Sequence, residues 1–141
     1  MVDRSNFALY RAWRELENFD SKLKDNVIFL NYNSRTYTIQ PGTSYPFHPP
    51  TIYLPGDKKL IYNPNNFPRR LWNDYNNLKK NNCMCCYSLL CPDRWSPAMR
   101  IINIIQEYES FINSLKTIQK KRMFIKINLP DDLIGYILDF L

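Results

Sequence analysis

The sequence predicts an α+β fold, in which helices accompany a small antiparallel β-meander. Residues 27–32 are β-branched and aromatic, and residues 35–40 alternate polar and apolar side chains, so both are predicted strands. Asn33-Ser34 between them suits a two-residue hairpin turn. Apolar residues at steps of three and four predict helices over residues 5–18 and from residue 97 to about 121. The 141 residues suffice for about one domain with its own core.

The first predicted helix has an apolar side and a charged side. Ser5 suits the N-cap, and Asn18 to Ser21 end the helix. The apolar side is predicted to comprise Phe7, Tyr10, Ala12, Trp13 and Leu16. The opposite side is predicted to comprise Arg11, Arg14, Glu15 and Glu17.

Beyond the hairpin the predicted elements are further apart. Residues 51–54 read as a third strand, and the polar, Asn-rich residues 57–82 read mostly as loop. Trp72 and Tyr75 are candidates to anchor a helical turn within that loop. Pro97 suits the first turn of the long helix that follows. The predicted apolar stripe of this helix comprises Ile101, Ile104, Ile105, Tyr108, Ile112, Leu115 and Ile118.

Composition limits the classes of function. Hydrophobic residues make up 45% and aromatic residues 15% of the chain, which indicates a folded globule. No apolar run reaches the roughly 18 residues of a membrane span, and the first residues lack the apolar core of a signal peptide. A soluble, intracellular protein is therefore expected. Heavy use of Asn, Ile, Lys and Tyr suggests an AT-rich genome, such as that of a large DNA virus.

The net charge of +6 comes largely from short basic clusters that suit an acidic partner. A nucleic-acid partner is not expected, because these clusters are not interleaved into a known nucleic-acid-binding motif.

Four cysteines, Cys83, Cys85, Cys86 and Cys91, lie within nine positions. A disulfide framework joins distant parts of a chain, which such a cluster cannot do, so reduced thiols are expected. The cysteines suit either buried small apolar residues or a local chemical role. Their spacing lacks the paired C-x-x-C of structural zinc sites, and His48 is the one histidine of the sequence. No metal or other cofactor is expected.

Four landmarks occur in a fixed order along the chain. They are Tyr45 to Pro50 (YPFHPP), Asn63-Pro64-Asn65, the cysteine cluster, and Trp95 to Ala98 (WSPA). In this order they resemble the ubiquitin-conjugating (E2, UBC-like) family, which has a Tyr-Pro-Phe-x-Pro-Pro loop, a His-Pro-Asn turn, a catalytic cysteine and a Trp-Ser-Pro-Ala loop that opens a helix. The resemblance covers the middle third of the chain by motif and the rest by element order. It implies a UBC-like core over residues 1–122.

The resemblance implies which residues would act. Cys86 would carry the modifier as a thioester, since Cys86 to Leu90 fit the family's Cys-x-x-Ile/Leu-Leu; Cys85 is the alternative nucleophile. Asn65 would stabilise the oxyanion. The partners implied are ubiquitin or a ubiquitin-like protein, an activating enzyme (E1) that meets the first helix, and a RING-type ligase. The residues implied to face the ligase are Phe47, Pro97 and Ala98.

Some features depart from the family pattern. Asn63 replaces the histidine of the turn, and the chain between Asn65 and Cys86 is much longer than the family's short loop. The predicted sheet also lacks a strand. A catalytically inactive E2-like interaction module is therefore a second hypothesis, and a small zinc- or nucleic-acid-binding protein is a third.

The C-terminal segment, residues 123–141, is predicted to form an amphipathic helix. Leu129 to Leu133 resemble the opening of an F-box, a module that binds an adaptor of cullin-type ligases. Packing of this helix against the core explains the same residues. Either interpretation, with the E2 resemblance, leads us to expect the protein in the cytoplasm or nucleus, in a host cell if the source is viral.

Overall fold

The structure is a computed structural model that describes residues 4–62, 68–78 and 88–126. Three helices and a five-stranded antiparallel sheet in these residues confirm the α+β class. The elements are helix α1 (Arg4–Glu15), strands β1 (Asp20–Lys24), β2 (Val27–Tyr32), β3 (Arg35–Gln40), β4 (Thr51–Leu54) and β5 (Lys58–Lys59), and helices α2 (Arg69–Leu78) and α3 (Ile101–Lys126). No helix in the described ranges is long and apolar enough to cross a membrane.

The sheet is a meander in which each strand pairs with the next one in the chain. The predicted bounds of β2, β3 and β4 are confirmed. The predicted turn at Asn33 and Ser34 is confirmed as well, and both residues have positive φ, 49° and 65°. Asp25 and Asn26, between β1 and β2, also have positive φ. Asn and Asp tolerate this left-handed conformation, which two-residue hairpin turns of type I′ require at both central positions.

Two strands were missed, and the expectation that the sheet lacks a strand is wrong. β1 lies where the sequence predicts only the end of the first helix, and β5 lies within the predicted loop of residues 57–82. Both are edge strands, and their side chains are mostly exposed. Exposed edge strands need no apolar alternation, so their residues carry little of the pattern that identifies a strand.

The helices differ from the predictions in their bounds and orientation. α1 ends at Glu15 rather than Asn18, and its buried residues are Ala8, Ala12 and Leu16. Phe7 and Tyr10, predicted on the buried side, are 60% and 54% exposed. The spacing of four places these residues on one face of the helix. Two of the three side chains are only methyl groups, so the helix backbone can lie close to the core.

The long helix starts later and ends later than predicted. α3 begins at Ile101, so Pro97 lies in the preceding turn rather than in the first helical turn. Asn103 explains this start, because its side-chain oxygen accepts a hydrogen bond of 3.0 Å from the backbone N–H of Arg100. The helix continues to Lys126 rather than ending near residue 121.

The main core lies between the sheet, α1 and the first turns of α3. Alternate residues of β2 and β3 point into it, while their neighbour Phe29 is 38% exposed. The buried residues of this core are Ala8, Ala12, Leu16, Ile28, Leu30, Tyr37, Ile39, Tyr45, Ile52, Leu60, Trp95, Ile101, Ile102, Ile104 and Ile105. Burial of these side chains is the main stabilising contribution to the fold.

A second, aromatic core packs α2 against α3. Phe111, 1% exposed, meets the rings of Tyr62, Trp72 and Tyr75 edge-on, with centroid distances of 5.1, 6.0 and 4.8 Å. Edge-to-face ring pairs stabilise beyond the area they bury. Trp72 and Tyr75 therefore anchor a helix of ten residues, longer than the single turn predicted there.

Replacing Phe111 with Ala should remove the ring on which α2 packs. We expect the free energy of unfolding to fall by about 3–5 kcal/mol, the usual cost of truncating a buried phenylalanine. Urea unfolding followed by tryptophan fluorescence would measure this, with Asn113→Ala on the exposed side of α3 as the control. A loss below about 1 kcal/mol, the range of ordinary substitutions, would contradict this packing.

Candidate functional site

The two strongest sequence motifs are in direct contact. The indole Nε1 of Trp95 donates a hydrogen bond of 2.7 Å to the carbonyl oxygen of Pro46. The rings of Tyr45 and Trp95 lie 6.2 Å apart, and both side chains are buried. The peptide bond between Tyr45 and Pro46 is cis. The proline loop and the Trp95 loop, 49 residues apart in sequence, therefore form one structural unit.

Glu15, at the end of α1, joins this unit to α1 and to the start of α3. The Tyr45 hydroxyl donates a hydrogen bond to Oε2 of Glu15, and the backbone N–H of Ile101 donates one of 3.1 Å to Oε1. Burial raises the pKa of Glu15, although the bond from Ile101 and the nearby charges of Arg11 and Arg100 oppose the rise. One carboxylate thus holds α1, the proline loop and the start of α3 together.

The outer side of this unit is an apolar surface, which we call the motif surface and define by Phe7, Phe47, Pro97 and Ala98. Phe47 is 73% exposed, the highest value among the large hydrophobic residues exposed in the described part of the chain. Phe7 and Phe47 line one groove of about 590 Å³ together with Tyr45, Pro46 and other loop residues. Exposed apolar residues grouped in this way are typical of protein-docking sites.

Arg11 connects the other half of the motif surface to α1. Its Nη2 lies 3.4 Å from the carbonyl oxygen of Pro97, to which it donates a hydrogen bond. Pro97 and Ala98 are exposed beside this contact. The three ligase-facing residues implied by the resemblance are therefore all exposed, in loops that share an anchor on α1.

Phe7, Arg11 and Glu15 were not predicted as site residues. The sequence predicts Phe7 on the buried side of the helix and Glu15 on the solvent side, and both expectations are wrong. The series Ala8, Ala12 and Leu16 could have indicated the true orientation, because residues four apart share a helix face.

A second polar centre lies where the chain returns from the cysteine cluster. Oε1 of Glu107 accepts a hydrogen bond of 2.6 Å from the Ser88 hydroxyl, and Oε2 accepts one of 3.1 Å from the backbone N–H of Leu89. Burial and the neighbouring charge of Glu107 raise the pKa of Tyr62. Ser88 and Tyr62 therefore both lie near one carboxylate. Ser88 lies close to the cysteine cluster in sequence, and Tyr62 directly precedes the Asn63-Pro64-Asn65 motif.

The candidate catalytic residues, Asn65, Cys85 and Cys86, lie outside the described residues. Cys83 and the F-box-like segment, Leu129 to Leu141, also lie outside them. Cys91 is described as a half-buried free thiol in the turns that precede Trp95. Its carbonyl oxygen accepts hydrogen bonds from the backbone N–H groups of Arg94 and Trp95, at 2.9 and 3.0 Å. This places Cys91 in the support of the Trp95 loop.

Among the described residues, no three His, Cys, Asp or Glu side chains are grouped in a way that could hold a metal ion. Comparisons of the chain with protein-family models, with curated proteins and with solved structures found no match.

The hydrogen bonds of Glu15 predict a pH-dependent effect of Glu15→Gln. Because the folded-state pKa is raised, the unfolded chain ionises first, and the contribution of Glu15 to stability falls as pH rises between the unfolded and folded pKa values. Glutamine does not titrate, so the stability of Glu15→Gln relative to the unchanged protein should increase with pH across that window. Urea unfolding at a series of pH values would measure the difference.

Glu15→Ala is the companion variant. It leaves the Ile101 N–H and the Tyr45 hydroxyl without their acceptor, at a cost of about 1–3 kcal/mol. If the relative stability of Glu15→Gln instead fell as pH rose, the folded state would favour the charged carboxylate, contrary to our assignment.

Proposed function

We propose that this protein is an E2-like protein that receives ubiquitin or a ubiquitin-like protein on Cys86 and docks a RING-type ligase on the motif surface. The observation that supports it most is the bond from Trp95 to the Pro46 carbonyl. It joins the two loops that carry the family resemblance and leaves Phe47, Pro97 and Ala98 exposed beside α1. Each of these residues matches a ligase-facing position of the family.

The proposed reaction is acyl transfer in two steps. The Cys86 thiolate attacks the thioester carbonyl carbon of the modifier held by the activating enzyme, and the thiolate of that enzyme leaves. A lysine amine of the substrate then attacks the new thioester, loses a proton, and releases the Cys86 thiolate as an isopeptide bond forms. The amide group of Asn65 would donate a hydrogen bond to the oxyanion formed in this second step.

Two further observations support the proposal. Strand β1 adds a strand before the predicted hairpin, which supports the proposal because a missing strand was one of the departures from the family pattern. Ser88 is the first described residue after Cys86, and Tyr62 is the last described residue before Asn65. Both lie near Glu107. A free-thiol nucleophile also requires a reducing compartment, which in a cell means the cytoplasm or nucleus.

One observation favours the second candidate, an inactive E2-like interaction module. Helix α2 is inserted between Asn65 and the cysteine cluster and packs on Phe111 through Trp72 and Tyr75. The family has only a short loop there. An inserted helix changes the connection between the two candidate catalytic residues but leaves the motif surface unaffected, so docking without transfer is the alternative.

The transfer reaction can be tested directly with the full chain, an activating enzyme, ATP and ubiquitin. We expect an adduct that reductant removes, that is lost in Cys86→Ala and that remains in Cys85→Ala. Gels run with and without reductant would show it. Loss in Cys85→Ala alone would assign the nucleophile to Cys85. If a folded protein formed no adduct with ubiquitin or its relatives, transfer would be excluded and the interaction module would become the leading hypothesis.

Ligase docking predicts a separate effect of Phe47→Ala. Truncating an exposed central aromatic residue of a docking surface should weaken ligase binding by about tenfold. The measurement is titration of the chain with a panel of RING domains. The matched control is Phe29→Ala, which removes a partly exposed ring from the sheet. Equal affinity of the Phe47→Ala variant and the unchanged protein for every RING domain that binds would contradict docking at the motif surface.

A further inference from the structure

A second groove, of about 610 Å³, lies between the sheet and α3. It shares no lining residue with the groove at Phe7 and Phe47. Its walls come from the turn between β2 and β3, the turn between β4 and β5, and the middle of α3. We call it the basic groove and define it by Arg35, Lys58, Lys116, Leu54, Pro55 and Ile112.

The rim of the basic groove is positively charged. Arg35, Lys58 and Lys116 come from three separate segments, and no acidic residue lines the groove. Arg35 is half-buried and lies near the Glu109 carboxylate, since, besides burial, Arg35 lowers and Glu109 raises the pKa of both Tyr37 and Tyr108. Lys58 and Lys116 are exposed, and within the described part of the chain neither forms a salt bridge. These two lysines carry the positive charge that attracts an anionic partner.

The two acidic side chains nearest the rim differ in their effect on it. Glu109 is buried close to Arg35, and its carboxylate accepts hydrogen bonds of 2.6 Å from Asn33 and 2.9 Å from the Tyr37 hydroxyl. Asp57 precedes Lys58 but does not line the groove. Lys58 and Lys116 therefore remain available to an external anion.

The floor of the basic groove is aliphatic. The half-buried Leu54 and Ile112 form it, the exposed Pro55 lies beside them, and Tyr108 is the one aromatic residue among the lining side chains. Tyr108 is itself partly buried against both cores. Single-stranded nucleic acids bind on several aromatic faces that stack successive bases. A floor of this kind instead matches an aliphatic side chain, such as leucine, in an otherwise acidic segment.

We propose that the basic groove binds an acidic peptide segment in which acidic residues flank a leucine. The carboxylates would meet Lys58 and Lys116, and the leucine would contact Leu54 and Ile112. This site is independent of the E2-like activity, because it shares no residue with the motif surface or with the candidate catalytic residues.

Fluorescence anisotropy with the full chain tests this proposal. The probe is a labelled twelve-residue peptide of aspartate and glutamate with one central leucine. We expect saturable binding that falls about tenfold in Lys58→Glu/Lys116→Glu, since both attractive pairs become repulsive. Replacing the leucine of the peptide with serine should also weaken binding by about tenfold, because the aliphatic contact is lost.

Lys22→Glu/Lys24→Glu is the matched control. These exposed residues lie on β1, at the opposite edge of the sheet from β5, and their reversal changes the net charge equally. Thermal unfolding would show that both double variants are folded. Equal weakening in the control would mean general charge attraction and would overturn the proposal. The absence of saturable peptide binding would also overturn it. So would a twelve-nucleotide single-stranded DNA that bound more tightly than the peptide and lost its binding in Lys58→Glu/Lys116→Glu.

Discussion

Three parts of this structure depend on the half-buried carboxylate of Glu15. It accepts hydrogen bonds from Tyr45 in the proline loop and from the first residue of α3, Ile101, while its own backbone ends α1. Burying a carboxyl group is costly unless donors satisfy it, and here they are a side-chain hydroxyl and a helix N-terminus. Neither the proline loop nor the start of α3 can therefore move relative to α1 without losing a hydrogen bond to Glu15.

The aromatic core has a comparable effect on the other half of the chain. Phe111 holds α2 through the edge-to-face rings of Trp72 and Tyr75 and also meets the ring of Tyr62. Glu107, one turn earlier on α3, holds Ser88 and Leu89. The same stretch of α3 thus contacts both α2 and the residues that follow the cysteine cluster. Helix α2 is held there because its aromatic face has its own core on which to pack.

The two grooves of the protein suit partners of different chemistry. The motif surface offers exposed aromatic and proline side chains, which would bind a partner by burying apolar area. The basic groove offers two exposed lysines beside an aliphatic floor, so the affinity of the proposed peptide should depend on salt. If both proposals hold, the chain can contact two partners at once, since no residue belongs to both surfaces.

The elements that the sequence predicts correctly are those whose local chemistry suffices. β2, β3 and β4 carry β-branched and aromatic residues between turn residues, and the Asn33-Ser34 turn needs only residues that tolerate positive φ. The order of the motifs likewise pointed to Phe47, Pro97 and Ala98, which are exposed, while their contact with a ligase stays a prediction.

Tertiary contacts decided the rest. β1 is polar and becomes a strand because it pairs with β2, and α1 buries two alanines, which leaves Phe7 in solvent. The role of Glu15 depends on donors that lie 30 and 86 residues away in the chain. Periodicity and residue type report what a segment prefers by itself. Edge pairing, helix rotation and buried charge depend on which distant groups meet it, and only the folded structure contains that information.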